Sequence, residues 1–463
     1  MDVFLFHGEY EIYKNDLINH TFSMILEWFN KSPLELCSKF YNLIKNDFKG
    51  FQELQNDFRS NLNDDFFMIF DLIVNNDYFL DFLSEYKLTN CDYIIFDNGK
   101  EYELNTESYF KYKTGLSKKY KLSVIIPIYN NETLIHRTLM SIENQTIGVG
   151  NIEVLMVDDA STDNTYETLK KYSNNYDGFK VIHIKKGTGS PGTPRNIGLK
   201  EASAKYVIFL DHDDLFEINA LDILYNSIIE SNSDVVYGTY VSIDVDLPTK
   251  IIYPNEQHGY FGCIEENERS IAFPPPSIWT KLFKKEFLLK NNILFPTILG
   301  EDAIFVSKVL INAKGIDYLW DSIICYHTLN EKSYTKNISY KYLIEGFVSE
   351  EYIYDFYKKM HHENYYEIRG EGILDFYLSQ FMKSNLNNEE IIKIFPFLYS
   401  FVKNIDCFGL KPHVNELNKI IFNHIINNDI DAILKIKNPY NESNSTKRFK
   451  LKSILKRLIK KIK

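Results

Sequence analysis

The chain has 463 residues, 44% hydrophobic and 15% aromatic, which is enough apolar material for two or three domains and excludes a disordered chain. Its five cysteines, Cys37, Cys91, Cys263, Cys325 and Cys407, are odd in number, scattered and without metal-ligand spacing, which suits a reducing cytosol. The formal net charge of −11 hides an asymmetry, because residues 447–463 hold nine Lys or Arg and no acid.

Residues 1–120 carry no recognisable chemistry. The opening MDVFLFHGEYEIYK lacks a basic segment leading into an apolar core, so no signal peptide is expected. Residues 20–86 read as helical, with an aromatic series (Phe22, Trp28, Phe29, Phe40, Tyr41, Phe48, Phe58, Phe66, Phe67, Phe70) at core-like spacing. DYIIFDNGKEYEL at 92–104 predicts a β-hairpin turning at Asp97-Asn98-Gly99, and 111–121 predicts a linker. The expected division is an N-terminal accessory domain over 1–120 and a catalytic domain over 121–335. A helical region over 336–440 and a basic tail over 441–463 follow.

From Leu122 the pattern becomes strand–helix alternation. Strands are predicted at 122–129, 152–157, 179–184 and 206–210, with helices between them, which implies right-handed βαβ units and a parallel sheet. The last of these strands, in KYVIFLDHDD, is five apolar or aromatic residues followed by Asp211, Asp213 and Asp214. Open α/β sheets bind ligands beyond the carboxyl ends of their strands. Carboxylates gathered there repel one another unless a cation intervenes, and a hard ion such as Mg2+ or Mn2+ suits oxygen ligands. Tyr129-Asn130 and Asp158-Asp159 reach the same sheet edge from two other strands. The competing reading is helix capping by the acids.

The loop Gly187-Thr188-Gly189-Ser190-Pro191-Gly192 matches G-x-G-x-x-G after a strand, and Asp211 lies about 20 residues on, as a dinucleotide fingerprint requires. Against an NAD(P) oxidoreductase, Pro191 and Pro194 fall where that motif starts a helix, leaving a short helix over 195–202. The same loop can instead offer Arg195, a planar fork, to a diphosphate. Downstream, 303–312 predicts a helix opened by Gly300-Glu301-Asp302, and 316–326 a strand ending at His327. Aromatic helical segments then run to about residue 437, and their flanking surfaces suit pairing into a homo-oligomer. His361-His362-Glu363 is not H-E-x-x-H and reads as a solvated face. In the tail, Leu451, Ile454, Leu455, Leu458 and Ile462 form an apolar stripe opposite the basic residues. An anionic membrane surface, and no nucleic acid, is the expected partner. No stretch approaches the roughly 18 apolar residues of a membrane span.

SVIIPIYN at 123–130, VDDASTDNT at 157–165, PRNIGL at 194–199, VIFLDHDD at 207–214 and GED at 300–302 resemble, in order, the family 2 inverting glycosyltransferases of GT-A fold. The PGTPRN loop and WTKLFKKEFLLKNNILFP resemble the wall teichoic acid members, which transfer GlcNAc to poly(ribitol phosphate). Capsule and lipopolysaccharide enzymes share much of the pattern, and a non-catalytic nucleotide-sugar-binding module keeps the same fold. The resemblance implies a UDP-sugar donor and a glycan, polyol-phosphate or lipid-linked acceptor. It also implies Mn2+ or Mg2+ as cofactor, and a cytoplasmic protein at the inner membrane face. Carried over by residue, it implies that Pro127, Tyr129, Glu132, Asp158 and Asp159 meet the nucleotide. Arg195 and Asn196 would meet the diphosphate, with Pro194 where the family commonly has Ala. Asp211, His212 and Asp213 match the D-x-D metal motif, and Asp302, beside Glu301, matches the catalytic base. His327 and Ser333 fall where members contact metal or diphosphate.

Overall fold

The structure is a computed structural model describing residues 37, 41–42, 45, 72–73, 76–89, 91–103, 119–244, 247–252, 259–260, 277–327, 338–413 and 416–444. Most of the aromatic series expected in the first 86 residues, residues 111–118 of the expected linker, Ser333 and residues 445–463 of the expected basic tail lie outside the described residues. Helix α1 (Phe79–Thr89) leads into a hairpin, β1 (Tyr93–Asp97) and β2 (Lys100–Glu103). Its turn has φ of 46° at Asn98 and 79° at Gly99, the left-handed pair that an Asn-Gly turn supplies without steric cost. The hairpin was expected inside a separate accessory domain. Instead β1 runs antiparallel beside β5 (Phe179–Ile184), with Ile95 opposite Ile182, so it extends the central sheet. A lone two-stranded ribbon is marginal in water, and a sheet edge gives it a partner.

Strands β3 (Leu122–Ile128), β4 (Ile152–Asp158), β5 and β6 (Tyr206–Phe209) are mutually parallel, with β3 between β4 and β6. Every residue of β3, β4 and β6 is buried. That explains their unbroken apolar runs, because both faces of a parallel sheet are covered by crossover helices. Here the connections carry α2 (Ile135–Glu143), α3 (Thr165–Asn175) and α4 (Gly192–Glu201).

Helix α4 begins three residues earlier than expected. Neither proline breaks it: Pro191 is the N-cap residue and Pro194 lies in the first turn. The missing N–H there would have no intrahelical acceptor anyway. The two helix glycines serve close packing: a Cβ on Gly198 would meet Ile125 Cγ2 at 2.4 Å, and one on Gly192 would meet the Pro296 carbonyl oxygen at 2.2 Å.

Beyond β7 (Leu215–Phe216) and α5 (Ala220–Ser231) come β8 (Val235–Asp244), β9 (Leu247–Ile252), β10 (Gly259–Tyr260) and β11 (Lys281–Lys284). Strand β11 lies antiparallel between β6 and β8. Helices α6 (Lys285–Lys290) and α7 (Glu301–Asn312) precede β12 (Ile316–His327), which pairs parallel with β8. The mostly parallel sheet is thus mixed at both flanks. Helices α8 (Tyr340–Lys359), α9 (Asn364–Lys383), α10 (Asn388–Asp406), α11 (Glu416–Ile426) and α12 (Ile430–Asn444) form the C-terminal region. It grips the loop before α7: Leu299 N donates to Glu345 Oε2 at 2.8 Å and Ser349 Oγ to the Gly300 carbonyl at 3.2 Å. Among the described residues, no helix is long and apolar enough to cross a membrane.

Candidate active site

Three strand ends meet at one sheet edge and are tied by hydrogen bonds between their loops. After β3, Tyr129 is exposed and Asn130 adopts a left-handed φ of 48°. That turn lets Asn130 N donate to Ser161 Oγ (2.9 Å) and its Oδ1 accept from Thr162 N (2.7 Å). Ala160, at φ 57°, is a backbone outlier beside the site. Pro127 is buried within β3, and Glu132 Oε2 accepts from Asn164 N at 3.0 Å. Asn131, which carries no motif signal, is buried and donates through Nδ2 to the His212 carbonyl (2.8 Å) and to His212 Nδ1 (2.6 Å). An amide donor there makes Nδ1 the acceptor, so the remaining ring nitrogen of His212 carries the proton.

The two acids at the end of β4 are already engaged. Asp158 is fully buried, its Oδ2 2.7 Å from His183 Nδ1 and its Oδ1 without a hydrogen-bond partner. Asp159 accepts from Thr188 N (2.8 Å) and Thr188 Oγ1 (2.9 Å), pinning the glycine-rich loop against the strand end. Burial, opposed by these bonds, raises the Asp159 pKa. Neither His183 nor Thr188 was visible as a site residue in the sequence. His183 becomes relevant only through the register that sets it opposite Asp158.

Arg195, 2% exposed in the first turns of α4, is the centre of the cluster. Its Nη2 donates to Asp211 Oδ1 at 2.7 Å; its Nη1 donates to Asp302 Oδ1 at 2.9 Å and to Glu301 Oε1. Burial works against its charge, but Asp302, Asp211 and Glu301 together raise its pKa. Its flat face lies 5.2 Å from the centre of the Phe295 ring. That ring stacks on Phe305 at 3.9 Å and is met edge-on by Phe209. Asn196, expected at the diphosphate, is turned to another task. Its Nδ2 donates to the Phe295 carbonyl and its Oδ1 accepts from Phe295 N, both at 2.9 Å, with the side chain buried. Asn196 therefore holds the ring on which Arg195 rests.

One guanidinium faces three carboxylates, and that imbalance sets the electrostatics. Burial pushes the Asp302 carboxyl well above the usual carboxylate range; Arg195 pulls it down, and Glu301 and Asp211 push it up again. Close by, the buried Lys281 of β11 donates from Nζ to the Ser277 carbonyl, and burial lowers its ammonium to about 7 against the pull of Asp302. A carboxylate that is short of cations and keeps a quarter of its side chain exposed is equipped to accept a proton from a bound hydroxyl.

Among the described residues, no three His, Cys, Asp or Glu side chains form a ready metal cage. Mg2+ and Mn2+ do not need one where phosphates and water complete the shell around one or two carboxylates. Asp211, 31% exposed, and the partly exposed Asp213 fit that donor set. The Arg195 bond shows that Asp211 attracts a cation. His327 ends β12; its side chain, like Ser333, lies outside the described residues.

The family model for glycosyl transferase family 2 matches residues 123–291, which contain all three strand ends. Residues 123–291 are therefore similar to the family 2 glycosyl transferases. The poly(ribitol-phosphate) beta-N-acetylglucosaminyltransferase TarP of Staphylococcus aureus is 37% identical over 200 residues, covering 42% of this chain and 59% of TarP. A poly(ribitol-phosphate) beta-glucosyltransferase of Bacillus spizizenii is 34% identical over 198 residues, covering 42% and 30%. A cholesterol galactosyltransferase of Borreliella burgdorferi is 31% identical over 216 residues, covering 43% and 58%. The matches therefore span three fifths or less of these relatives' own lengths. Residues 1–349 of S. aureus TarS, crystallised with UDP-GlcNAc, superpose with a TM-score of 0.53 at 23% identity, covering 70% of this chain and 92% of that one. That likeness shows the GT-A fold.

Proposed function

We propose that the chain is a metal-dependent inverting glycosyltransferase that moves a sugar from a UDP-sugar, such as UDP-GlcNAc, to a hydroxyl of a teichoic-acid-like or other cell-surface glycan. The observation that carries this reading is the meeting of Asp211, Glu301 and Asp302 on Arg195, at the strand-end edge of a family 2 domain. The named activities of the relatives, on poly(ribitol phosphate) and on cholesterol, support sugar transfer to a hydroxyl.

In this reading Asp302 takes the acceptor hydroxyl's proton as that oxygen bonds to the anomeric carbon. The bond from that carbon to the diphosphate oxygen breaks on the opposite face, inverting the centre. A divalent ion at Asp211 and Asp213 would neutralise charge on the departing UDP. Arg195, expected at the diphosphate, donates both Nη groups to carboxylates, and in this reading it positions Asp302. Asn196 and Phe295 keep it in place.

The test is UDP release across a panel of nucleotide sugars, with and without poly(ribitol phosphate), in Mn2+ and then in excess EDTA. Acceptor-dependent release from a UDP-sugar, abolished by EDTA, is expected. Full activity in EDTA would remove the metal, and silence with every donor would remove the transferase. On sequence alone, the basic stretch 447–463 is proposed to meet an anionic bilayer; deleting it should move the protein from membrane to soluble fractions. Unchanged partition would refute that role.

A further inference from the structure

Arg195 does more in this fold than close an ion pair, because the carboxylate it holds through Nη2 is one that a metal would need. Asp211 Oδ1 stands 2.7 Å from Nη2. A divalent ion that takes Asp211 through Oδ1, or chelates both of its oxygens, at about 2.1 Å would then share Oδ1 with a cation already in contact. Two cations on one carboxylate oxygen, in a pocket where Arg195 is 2% exposed, repel strongly. The guanidinium has another place to go. Nη1 is anchored on Asp302 and on Glu301, whose side chain is 8% exposed. Its Nε is buried without a hydrogen bond, so no hydrogen bond on the stem side fixes its rotation, and the Phe295 ring beneath offers a flat bearing surface.

We infer that Arg195 is a built-in counter-cation that a divalent metal must displace from Asp211, so that metal loading transfers its charge wholly onto Glu301 and Asp302. The inference rests on the metal-dependent reading above and adds a positioning role for Glu301, the anchor that keeps Arg195 in the cleft after Asp211 is surrendered. Metal entry and the electrostatics of Asp302 are thereby coupled through one side chain. Loading Asp211 strengthens the hold on Asp302 and fixes it in place before acceptor arrives.

The decisive variant keeps the charge and removes the fork. In R195K a single ammonium cannot bridge Asp211 and Asp302 as the planar guanidinium does. Free Mn2+ is titrated into the full chain and followed by electron paramagnetic resonance, with and without UDP. R195K should bind Mn2+ without nucleotide about tenfold more tightly than wild type, the scale of one charge-assisted hydrogen bond. A purely structural ion pair predicts no gain, because net charge is unchanged. Equal or weaker binding by R195K, with wild type still binding Mn2+ and UDP together, would overturn the inference and leave the transferase reading standing. Wild type holding no Mn2+ even with UDP would overturn both. If R195K loses its cooperative melting transition, the wild type decides: the Arg195 Nε–Hε nuclear magnetic resonance signal should shift when Mg2+ and UDP are added, and an unmoved signal refutes the displacement.

Discussion

The two ends of the mostly parallel central sheet treat buried carboxylates in opposite ways. Near the start of β4, Glu153 is fully buried and saturated with donors: Ser123 Oγ at 2.6 Å, Ser203 N at 2.7 Å, Ser203 Oγ at 2.8 Å and Lys180 Nζ at 3.0 Å. Burial pushes its pKa up, but Lys180 and the donated hydrogen bonds outweigh it and the pKa falls. At the other end, Asp302 shares one guanidinium with two further acids, and burial wins. The contrast separates a carboxylate that holds the fold from one that can take up a proton. The number of donors per carboxylate decides which it is.

The comparison breaks most visibly at the strand-end edge. Asp302→Asn should lower kcat by about 10²–10⁴, the usual contribution of a general base, while leaving donor binding intact. Turnover and calorimetric titration of UDP-sugar measure the two separately, and a wild-type kcat would remove Asp302 as the base. At the opposite end, Lys180→Met strands Glu153 as a buried carboxylate and should cost about 3–5 kcal/mol in urea unfolding, with activity per folded molecule unchanged. If stability did not change, Glu153 would not depend on its cation.

A pH profile sharpens the contrast. In the metal-free protein Asp302 should lose its proton above the ordinary carboxylate range, read from its side-chain carboxyl 13C signal against pH. A midpoint near pH 4 would mean that Asp302 is not short of cations.

Glu350 in α8 supplies a third, intermediate case: buried, with Oε2 lacking any hydrogen bond and its pKa raised by burial to about 8. Its folded pKa exceeds the unfolded value near 4.5, so the folded state holds a proton that the unfolded chain releases. Stability should therefore fall as pH rises from about 4.5 to about 8, by at most roughly 1.4 kcal/mol per unit. Glu350→Gln should flatten that slope, raising the melting temperature at pH 8 relative to pH 5; parallel wild-type and variant profiles would show that Glu350 is already ionised.

Much of this was legible in the sequence because it is local. The apolar runs at 122–128, 152–158 and 206–209 announce strands covered on both faces, and the Asn98-Gly99 turn announces its own hairpin. The acidic motifs at 158–159 and 211–214 name the sheet edge that carries the site, since each lies at the end of a strand. What only the tertiary structure decided is which side chains meet. Arg195 joins Asp302 across 107 positions of chain, Asn196 turns away to clamp Phe295 at a separation of 99, and the hairpin pairs with β5 instead of standing apart. A motif specifies residue types and backbone direction, whereas partnership and burial, which set charge and pKa, arise from segments far apart in the chain packing together.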